Sequence, residues 1–362
     1  MAEQRVRVVV DGRELQLTNL HKVLYPQATF TKAEVIDYYT RIAPAILPHL
    51  ANRPVTLKRY PNGVDGPFFF EKNKPSHTPD WVRTVRLPVP GSTMERDEID
   101  FVVCDDRPTL VWLANLAALE LHVPQWTVRG SASPDPRSGR AAPPNPRGGR
   151  AASPDPRSGR AASPNPPRGR AASPDPPRGR AVSSKSTRGR GGKANGPDLL
   201  VFDLDPGAPA SIVECAEVAC MLRDLIAADG LTGYPKTSGN KGMQVYAPIA
   251  ESTDEKTSGY AKALAERLEH SHPRLVVSRM AKALRPGKVL VDWSQNNAAK
   301  TTVAPYSLRA NDHPTVSTPV TWEEVESGRP LRFAAGDVLE RYDKYGDLFE
   351  GLCTADRPQL PG

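Results

Sequence analysis

The stretch LLVFDLD at residues 199–205, followed by Pro206 and Gly207, predicts a short buried strand with two carboxylates at its end. Aliphatic and aromatic residues favour a strand, and the Pro-Gly pair ends it. Side chains two residues apart on a strand share one face, so Asp203 and Asp205 project together. Two neighbouring anions repel unless a divalent cation lies between them, and oxygen ligands suit Mg²⁺ or Mn²⁺. The alternative is an acidic strand end that faces solvent.

Strands and helices alternate on both sides of this stretch. Capping boxes predict helix starts at Thr31, Ser211 and Thr321. The Asp-Gly pair at 11–12 predicts a hairpin over 5–17. Further predicted strands are 55–59, 99–104, 243–249, 274–278 and 288–293, and further predicted helices are 109–121 and 258–270. The sequence therefore predicts an α/β (α+β) fold, a mixed β-sheet core flanked by helices.

Tandem ten-residue repeats that end in Gly-Arg interrupt this pattern. Residues 131–193 hold 12 Arg and 2 Lys against 3 Asp. The net charge of this segment is therefore +11, which exceeds the net charge of +7 of the whole chain. The rest of the chain is therefore net acidic. The segment has no Leu, Ile, Met or aromatic residue to bury, so we expect a disordered Pro/Arg-rich loop. It is either a polycationic arm that binds DNA or RNA, or a spacer in a tolerant surface loop.

The composition on either side of the repeat is that of a globular protein. We predict 1–130 as the N-terminal part of one domain, 131–196 as the insertion, 197–350 as the C-terminal catalytic part of the same domain, and 351–362 as a tail. The four cysteines lack zinc-site spacing, and neither a long apolar run nor a signal-type start is present. These features predict a reduced, cytoplasmic protein and argue against a disulfide scaffold, a membrane span or ordinary secretion.

Two further motifs carry polar chemistry. Residues 236–242, KTSGNKG, have the composition of a phosphate-binding loop, in which Ser238 donates a hydrogen bond and Lys241 supplies charge. The spacing is not that of a Walker A loop, and a tight turn is the alternative. Residues 289–296, VLVDWSQN, place Asp292 at the end of an apolar strand as a candidate third metal ligand.

Arg309 follows these motifs and is able to bind a phosphate through two N–H groups, its alternative being a surface salt bridge. Three carboxylates at strand ends, a loop of Gly, Ser and Lys, and a downstream arginine together predict metal-assisted phosphoryl transfer.

VFDLDPG, KTSGNKG and VLVDWSQN, in this order, resemble the polymerase domain of bacterial ligase D, a branch of the archaeo-eukaryotic primase superfamily. Other matching segments are LTNLHKVLYP at 17–26, KRYPNG at 58–63, FFF at 68–70 and LELH at 119–122. The resemblance implies a primase-polymerase fold. It also implies templated addition of nucleotides, often ribonucleotides, to DNA 3′ ends in gap filling or end processing during bacterial non-homologous end joining.

The resemblance also implies a role for each matching residue. The catalytic residues, which would hold two Mn²⁺ or Mg²⁺ ions, are Asp203, Asp205 and Asp292. The nucleotide-binding residues are His122, Ser238, Gly239, Lys241, Gln295 and Arg309. The residues for a DNA 5′-phosphate are Asn19, Lys22 and Lys58. The residues that stack on the template are Phe69 and Phe70. Apart from the resemblance, these phenylalanines would be interpreted as core and the lysines as surface cations.

The implied partners are DNA ends or gapped duplex DNA, NTP or dNTP, Ku and a separate ATP-dependent DNA ligase, close to the bacterial nucleoid. The chain departs from the wider superfamily at Gln244, where a histidine is common, and it lacks the Lys-x-Asp-Gly motif of ligases. Two other functions remain open, a catalytically weak scaffold that binds DNA ends and a metal-dependent nuclease. The retained carboxylates argue against the scaffold, and the Lys, Ser and Arg group argues against the nuclease.

Overall fold

The computed structural model describes residues 5–89, 97–129 and 192–361. Within these ranges, the residues before and after the repeat belong to one compact unit. The repeat itself, which the sequence predicts to be disordered, lies outside the described residues. None of the described helices is both long enough and apolar enough to span a membrane.

The chain before the repeat contains ten strands and two α-helices within the described residues. The strands are β1 (Arg5–Val10), β2 (Arg13–Thr18), β3 (Val23–Tyr25), β4 (Phe30–Thr31), β5 (Pro54–Arg59), β6 (Phe69–Glu71), β7 (Thr84–Pro88), β8 (Glu98–Val103), β9 (Ala118–Val123) and β10 (Trp126–Arg129). The helices are α1 (Lys32–Leu50) and α2 (Arg107–Asn115).

The described chain after the repeat contains seven strands and five α-helices. The strands are β11 (Lys193–Pro197), β12 (Leu199–Pro206), β13 (Tyr234–Thr237), β14 (Met243–Pro248), β15 (Val276–Val277), β16 (Val289–Asp292) and β17 (Thr302–Val303). The helices are α3 (Ile212–Ala228), α4 (Asp254–Ser271), α5 (Trp322–Glu326), α6 (Ala335–Tyr345) and α7 (Glu350–Thr354).

Two larger sheets contain most of these strands. One has the order β13-β14-β12-β16-β15 and is antiparallel except between β15 and β16. The other has the order β17-β9-β5-β8-β7, with β6 added beside β5. The pairs β1–β2, β3–β4 and β10–β11 form small sheets of their own. This arrangement confirms the predicted α/β (α+β) class with a mixed sheet core.

Each larger sheet has its own buried apolar cluster. Phe202 and Leu204 of β12 lie in one cluster with Leu222 of α3. Leu57 of β5 lies in another with Ile46 of α1. Burial of a leucine or phenylalanine side chain stabilises a fold by about 1.5–3 kcal/mol. Phe202 and Leu204 alternate along β12 with the two aspartates. The apolar side chains therefore point to the face of the sheet that packs against helices, and the carboxylates point to the opposite face.

The local sequence signals agree with the structure at the hairpin and at three helix starts. Asp11 and Gly12 have φ values of 47° and 80°, the left-handed geometry that a type I′ turn requires, and they join β1 to β2. The capping boxes that begin at Thr31, Ser211 and Thr321 are all formed. These three helix starts and the hairpin are therefore confirmed.

The predicted helix over 109–121 is wrong in its second half. Helix α2 ends at Asn115, and Ala117 adopts a left-handed φ of 56° that turns the chain into β9. The segment ALELHV of β9 alternates between small or charged and apolar side chains, and it pairs with both β5 and β17. The apolar residues on both sides of the turn produce one continuous buried run, which hides the boundary in the sequence.

The helix predicted at 258–270 begins earlier, at Asp254. The side chain of Thr253 accepts a hydrogen bond from Lys256 N at 3.3 Å and so caps α4, whose first residue lies four positions before the predicted start.

The insertion was expected to extend through residue 196, but β11 already begins at Lys193. Lys193 lies opposite Arg129 in the β10–β11 pair, and Asn195 Nδ2 donates to Thr127 Oγ1 at 2.7 Å. Pairing with β10 therefore fixes a strand whose own residues, Lys-Ala-Asn-Gly-Pro, carry little strand preference. The repeat thus departs from and returns to two residues that are directly paired.

Candidate active site

The two acidic motifs meet on the five-stranded sheet. Strand β12 lies between β14 and β16, and in these antiparallel pairs Asp203 is opposite both Asp292 and Gln244. Opposite residues of an antiparallel pair point to the same face, as do residues two apart on one strand. Asp203, Asp205 and Asp292 therefore share one face, although 87 residues separate the last two in sequence.

Asp203 lies at the centre of this group. Gln244 Nε2 donates to Asp203 Oδ1 at 3.0 Å. Burial raises the pKa of Asp203 to about 6, and repulsion from Asp292 and Asp205 adds to the rise, whereas the Gln244 hydrogen bond and Lys236 oppose it. A carboxylate whose pKa is raised by burial, with added repulsion from other carboxylates, is the kind of group whose charged form a bound cation stabilises.

Asp205 and Asp292 have other partners in this structure. Asp205 Oδ2 lies 3.5 Å from Arg285 Nη1. Asp292 accepts from Ser294 N at 2.9 Å and Ser294 Oγ at 2.6 Å, and from Gln295 Nε2 at 2.8 Å. Within the described ranges, no three His, Cys, Asp or Glu side chains are arranged to hold one metal ion. Carboxylate oxygens are ligands that Mg²⁺ or Mn²⁺ prefers. One of the three carboxylates, that of Asp205, contacts Arg285 instead of the other two.

The KTSGNKG motif forms the turn between β13 and β14. Ser238 N donates to Gly242 O at 2.8 Å, and Ser238 Oγ accepts from Asn240 N at 3.3 Å and Gly242 N at 3.2 Å. The Ser238 hydroxyl therefore keeps its own proton for another acceptor. Lys241 is exposed at the end of the turn. The motif is a tight turn and also presents the donors that an anion needs.

Gly239 brings this turn into contact with the segment around Arg309. Its φ is 72°, and a Cβ atom there would lie 2.6 Å from Val316 backbone atoms and 2.7 Å from Arg309 Cγ. The Gly239 carbonyl accepts from Asn311 Nδ2 at 2.8 Å and Thr315 Oγ1 at 2.6 Å. Only glycine fits this position, and the close approach places Arg309 beside the turn.

Glu120, which has no predicted role of its own, connects several of the predicted site residues. Its carboxylate is 2% exposed in β9. Glu120 Oε1 lies 3.3 Å from Lys58 Nζ and accepts from Ala310 N at 3.1 Å. Glu120 Oε2 lies 3.0 Å from His122 Nε2 and 3.5 Å from Arg309 Nε. One buried carboxylate thus holds three nitrogen-bearing side chains together.

The charged side chains in this group shift one another's pKa values. Burial alone would raise the pKa of Glu120, but the His122 hydrogen bond and the charges of Arg309 and Lys58 outweigh it and lower the pKa to about 2. Burial lowers the pKa of His122, and Arg309 and Lys58 lower it further against the attraction of Glu120. The group therefore combines an anionic glutamate, two cations and a histidine whose charged form is disfavoured.

The ion pair of Arg309 with Glu120 is not at the surface. The Arg309 side chain is 18% exposed, and its buried Nε has no hydrogen-bond partner among the described residues, although Glu120 lies within ion-pair distance. An unsatisfied buried guanidinium nitrogen is costly, which favours an anionic ligand at this position.

The residues assigned to a DNA 5′-phosphate have different partners. Lys22 Nζ donates to Asn62 Oδ1 at 2.9 Å, and the Asn19 carbonyl accepts from Lys22 N at 3.0 Å, so these two residues form one turn. Lys58 Nζ instead contacts Glu120 and lies 4.4 Å from the centre of the Phe68 ring. The structure therefore groups Lys58 with His122 and Arg309.

The phenylalanine strand lies at the surface and not in the core. Phe69 and Phe70 of β6 are 44% and 59% exposed, and Phe68 is 50% exposed. The Phe70 ring centre lies 6.1 Å from that of His122, and the Arg59 guanidinium lies 5.2 Å from the Phe69 ring centre. Exposed aromatic faces beside cations are suited to stacking on nucleic-acid bases.

The family described as "LigD, primase-polymerase domain" matches residues 31–138 and 180–349. The chain belongs to the LigD primase-polymerase domain family. Its two matched ranges extend into the two ends of the repeat and contain all three aspartates, the KTSGNKG turn and Glu120.

LigD proteins from several bacteria are similar to this chain. The "Multifunctional non-homologous end joining protein LigD" of Mycolicibacterium smegmatis is 38% identical over 348 residues, which cover 95% of this chain and 36% of that protein. The "Bifunctional non-homologous end joining protein LigD" of Bacillus subtilis is 30% identical over 93% of this chain and 44% of its own length. The chain thus spans less than half the length of these curated relatives.

A solved LigD structure supports the same assignment of the fold. The "Polymerase Domain from Mycobacterium tuberculosis Ligase D in complex with DNA" matches with a TM-score of 0.75 and 36% identity, over 96% of this chain and 99% of that chain. The fold is therefore that of the LigD polymerase domain, and the names of the relatives refer to non-homologous end joining.

In this LigD domain, a series of hydrogen bonds continues from Asp203 into the interior. The sequence did not predict this series. Gln244 Oε1 lies 3.3 Å from the Tyr246 hydroxyl, which lies 2.7 Å from Thr302 Oγ1. Gln125 Nε2 donates to Thr302 Oγ1 at 3.0 Å. The series fixes the orientation of the Gln244 amide, so that its NH₂ group faces Asp203. An alternation of polar and apolar residues in β14 is the sequence signal for it.

Proposed function

We propose that this chain adds nucleotides to the 3′ end of a DNA strand on a template, in gap filling or end processing during bacterial non-homologous end joining. The observation that carries the proposal is the position of Arg309. Its side chain packs closely against Gly239 of the KTSGNKG turn, and the adjoining sheet face presents Asp203 and Asp292 opposite each other. A triphosphate supplies the anionic oxygens that this turn and arginine require.

The carboxylates Asp203, Asp205 and Asp292 are proposed to hold Mn²⁺ or Mg²⁺ in a two-metal site. Their oxygen donors fit such ions, and positive charge would stabilise the Asp203 carboxylate, whose pKa is raised by burial and further by repulsion from its neighbours. The bound ions would supply the charge that favours ionisation of a primer 3′-hydroxyl and neutralises the departing pyrophosphate.

The chain's own residues bind and orient the nucleotide. The Ser238 hydroxyl has a proton to donate, Lys241 is exposed for a phosphate, and Arg309 is held in place by Glu120. His122 favours its neutral form and so hydrogen-bonds without adding charge. Gln295 belongs to this group through its hydrogen bond to Asp292, which orients that carboxylate.

Nearby residues are proposed to bind the DNA. The turn of Asn19 and Lys22 binds a 5′-phosphate, and Phe69 and Phe70 stack on the template. Base–aromatic stacking contributes about 1–3 kcal/mol per base. Lys58, which the resemblance assigns to the 5′-phosphate, is better placed by its contact with Glu120 to act on the nucleotide side.

The proposed partners are DNA ends or gapped duplex DNA, NTP or dNTP, Ku and a separate ATP-dependent ligase, in the cytoplasm near the nucleoid. The relatives carry non-homologous end joining in their names, and the chain corresponds to only part of their length.

Primer extension on a 5′-phosphorylated gapped duplex tests the proposal, with Mn²⁺ and with ribonucleotides or deoxyribonucleotides. We expect templated extension by the wild type and none by Asp205→Ala, with DNA-end binding retained in both. A parallel reaction without nucleotides separates the alternatives. Shortened DNA would indicate a nuclease, and binding without extension would indicate a scaffold.

A further inference from the structure

Cys353, His49 and Asp347 form a hydrogen-bonded series that the proposed polymerase chemistry does not use. Cys353 Sγ on α7 lies 3.6 Å from His49 Nδ1 on α1. His49 Nε2 lies 2.9 Å from Asp347 Oδ2. A thiol, an imidazole and a carboxylate in this order are the arrangement that activates a cysteine nucleophile.

The carboxylate and the imidazole of this series are held firmly. Asp347 Oδ1 accepts from the Tyr306 hydroxyl at 2.7 Å and from Phe349 N at 2.8 Å. Burial alone would lower the pKa of His49, but its bonds with Asp347 and Cys353 outweigh burial and raise the pKa to about 9. At neutral pH the ring is therefore an imidazolium, which donates to the carboxylate and has its second N–H within reach of the sulfur.

A cavity of about 210 Å³ adjoins the sulfur, with Cys353 and His49 in its lining. Gln125 also lines it, is 3% exposed, and has an Oε1 atom without a hydrogen-bond partner among the described residues. Arg53 and Arg357 flank the cavity, and Asp198 pairs with both of them. The cavity is thus lined both by an unsatisfied hydrogen-bond acceptor and by a cysteine with a histidine partner.

We propose that Cys353 is a reactive thiol that forms a mixed disulfide with low-molecular-weight disulfides bearing amide groups. The Cys353 thiolate attacks one sulfur of the disulfide, the S–S bond breaks, and a Cys353–S–S–R bond forms. The displaced thiolate leaves with the electron pair and takes a proton from water, so no further oxidant is needed. An amide N–H of the retained half satisfies Gln125 Oε1 in the cavity.

The other three cysteines are internal controls. Cys104 and Cys215 are buried, and burial raises the pKa of each thiol. Cys220 is partly exposed, and burial raises its pKa as well. Labelling of Cys220 therefore measures an accessible thiol without a histidine partner, and labelling of Cys104 and Cys215 reports unfolding.

The test is site-resolved mass spectrometry of the whole chain after timed exposure to iodoacetamide at pH 7. We expect Cys353 to react about fivefold faster than Cys220 or more, a factor typical of thiolate stabilisation offset by reduced nucleophilicity. We expect Asp347→Asn to remove this advantage while Cys104 and Cys215 stay unlabelled. Equal rates at Cys353 and Cys220 in the wild type would overturn the proposal without any variant.

A second exposure, to oxidised glutathione, tests the disulfide itself. One glutathione adduct is expected on Cys353, reversed by dithiothreitol and missing in Cys353→Ser. An adduct distributed equally over Cys353 and Cys220 would contradict a site built for this ligand.

Discussion

Glu120 Oε2 lies 3.5 Å from Arg309 Nε, and this ion pair joins β9 to the segment that borders the KTSGNKG turn. The same carboxylate contacts Lys58 and His122, so residues from three distant parts of the chain depend on one buried anion. The contact brings Arg309 close to Glu120 without satisfying the hydrogen-bonding capacity of its Nε. Glu120 is therefore a positioning residue for the proposed nucleotide site.

Glu120→Gln keeps the size of the side chain and removes its charge. Hydrogen bonds to charged groups are each worth about 1.5–3 kcal/mol, so we expect kcat/KM for the nucleotide to fall about tenfold or more, mainly through KM. Steady-state primer extension measures this, and Glu120→Asp should recover part of the loss. Glu251→Gln, which removes the exposed pair with Arg129, is the matched control and should leave the kinetics unchanged. An unchanged nucleotide KM in Glu120→Gln would contradict the positioning role.

Lys22→Ala and Lys58→Ala should have different effects because the two ammonium groups have different contacts. We expect Lys22→Ala to weaken binding only to 5′-phosphorylated duplexes, and Lys58→Ala to raise the nucleotide KM. Binding measurements on matched 5′-phosphate and 5′-hydroxyl duplexes, with extension kinetics, separate the two. If Lys58→Ala abolished the 5′-phosphate preference instead, the role implied by the family resemblance would stand and our grouping would be wrong.

The pair of His49 and Asp347 should make stability depend on pH. The folded-state pKa of His49, about 9, is above its usual 6.5, so its contribution is complete below pH 6.5 and is lost as the pH rises through 9. The pKa of Asp347 is lowered despite burial, chiefly by its bond with His49, so its contribution is present above the usual aspartate value and is lost in acid. We expect the stability advantage of wild type over Asp347→Asn to shrink by about 3 kcal/mol between pH 6 and pH 9.5.

Urea unfolding of both proteins at the two pH values provides this measurement. His49→Gln, which does not titrate, should show the same loss of difference from wild type. A constant difference across this range would contradict the ion pair.

Deletion of residues 131–190 should leave the fold intact because Arg129 and Lys193 are already paired. The deletion joins these strands through three glycines, a length that suits a hairpin connection. We expect a melting temperature within a few degrees of the full chain. We also expect weaker DNA binding with a flatter salt dependence, since each lost phosphate contact removes about 0.9 from the slope. An unchanged slope would make the repeat a passive spacer.

Local sequence signals were sufficient to predict the elements whose structure depends only on neighbouring residues. The Asp11-Gly12 turn and the capping box at Thr31 depend only on adjacent residues, and both formed as predicted. Asp203 and Asp205 share a face by strand periodicity alone. That Asp292 lies directly opposite Asp203 could be expected only from the family resemblance, because strand pairing over 89 positions has no local signal.

Contacts between distant segments could not be predicted from local sequence patterns. The importance of Glu120 comes from residues 58, 122 and 309, which meet only after β5 and β9 have paired. The exposure of Phe69 and Phe70 depends on β6 being an edge strand, and three consecutive phenylalanines give no hint of that. The turn at Ala117 is likewise hidden in an apolar run. The assignment of metal ligands, nucleotide contacts and DNA contacts to individual residues stays a prediction.

Templated polymerase activity is tested most directly by addition of one nucleotide opposite a defined template base, on 5′-phosphorylated gapped DNA with Mn²⁺, by wild type and by Asp203→Asn. Asp203→Asn is close in size and keeps the neighbours of Asp203 while removing the charge at the centre of the acidic face. We expect the wild type to add the complementary nucleotide in preference to the other three. We expect the variant to lose at least about 100-fold in rate while still binding the DNA, a loss in the range seen when a key electrostatic group is removed. Comparable addition by the variant would show that the acidic face is not the catalytic site.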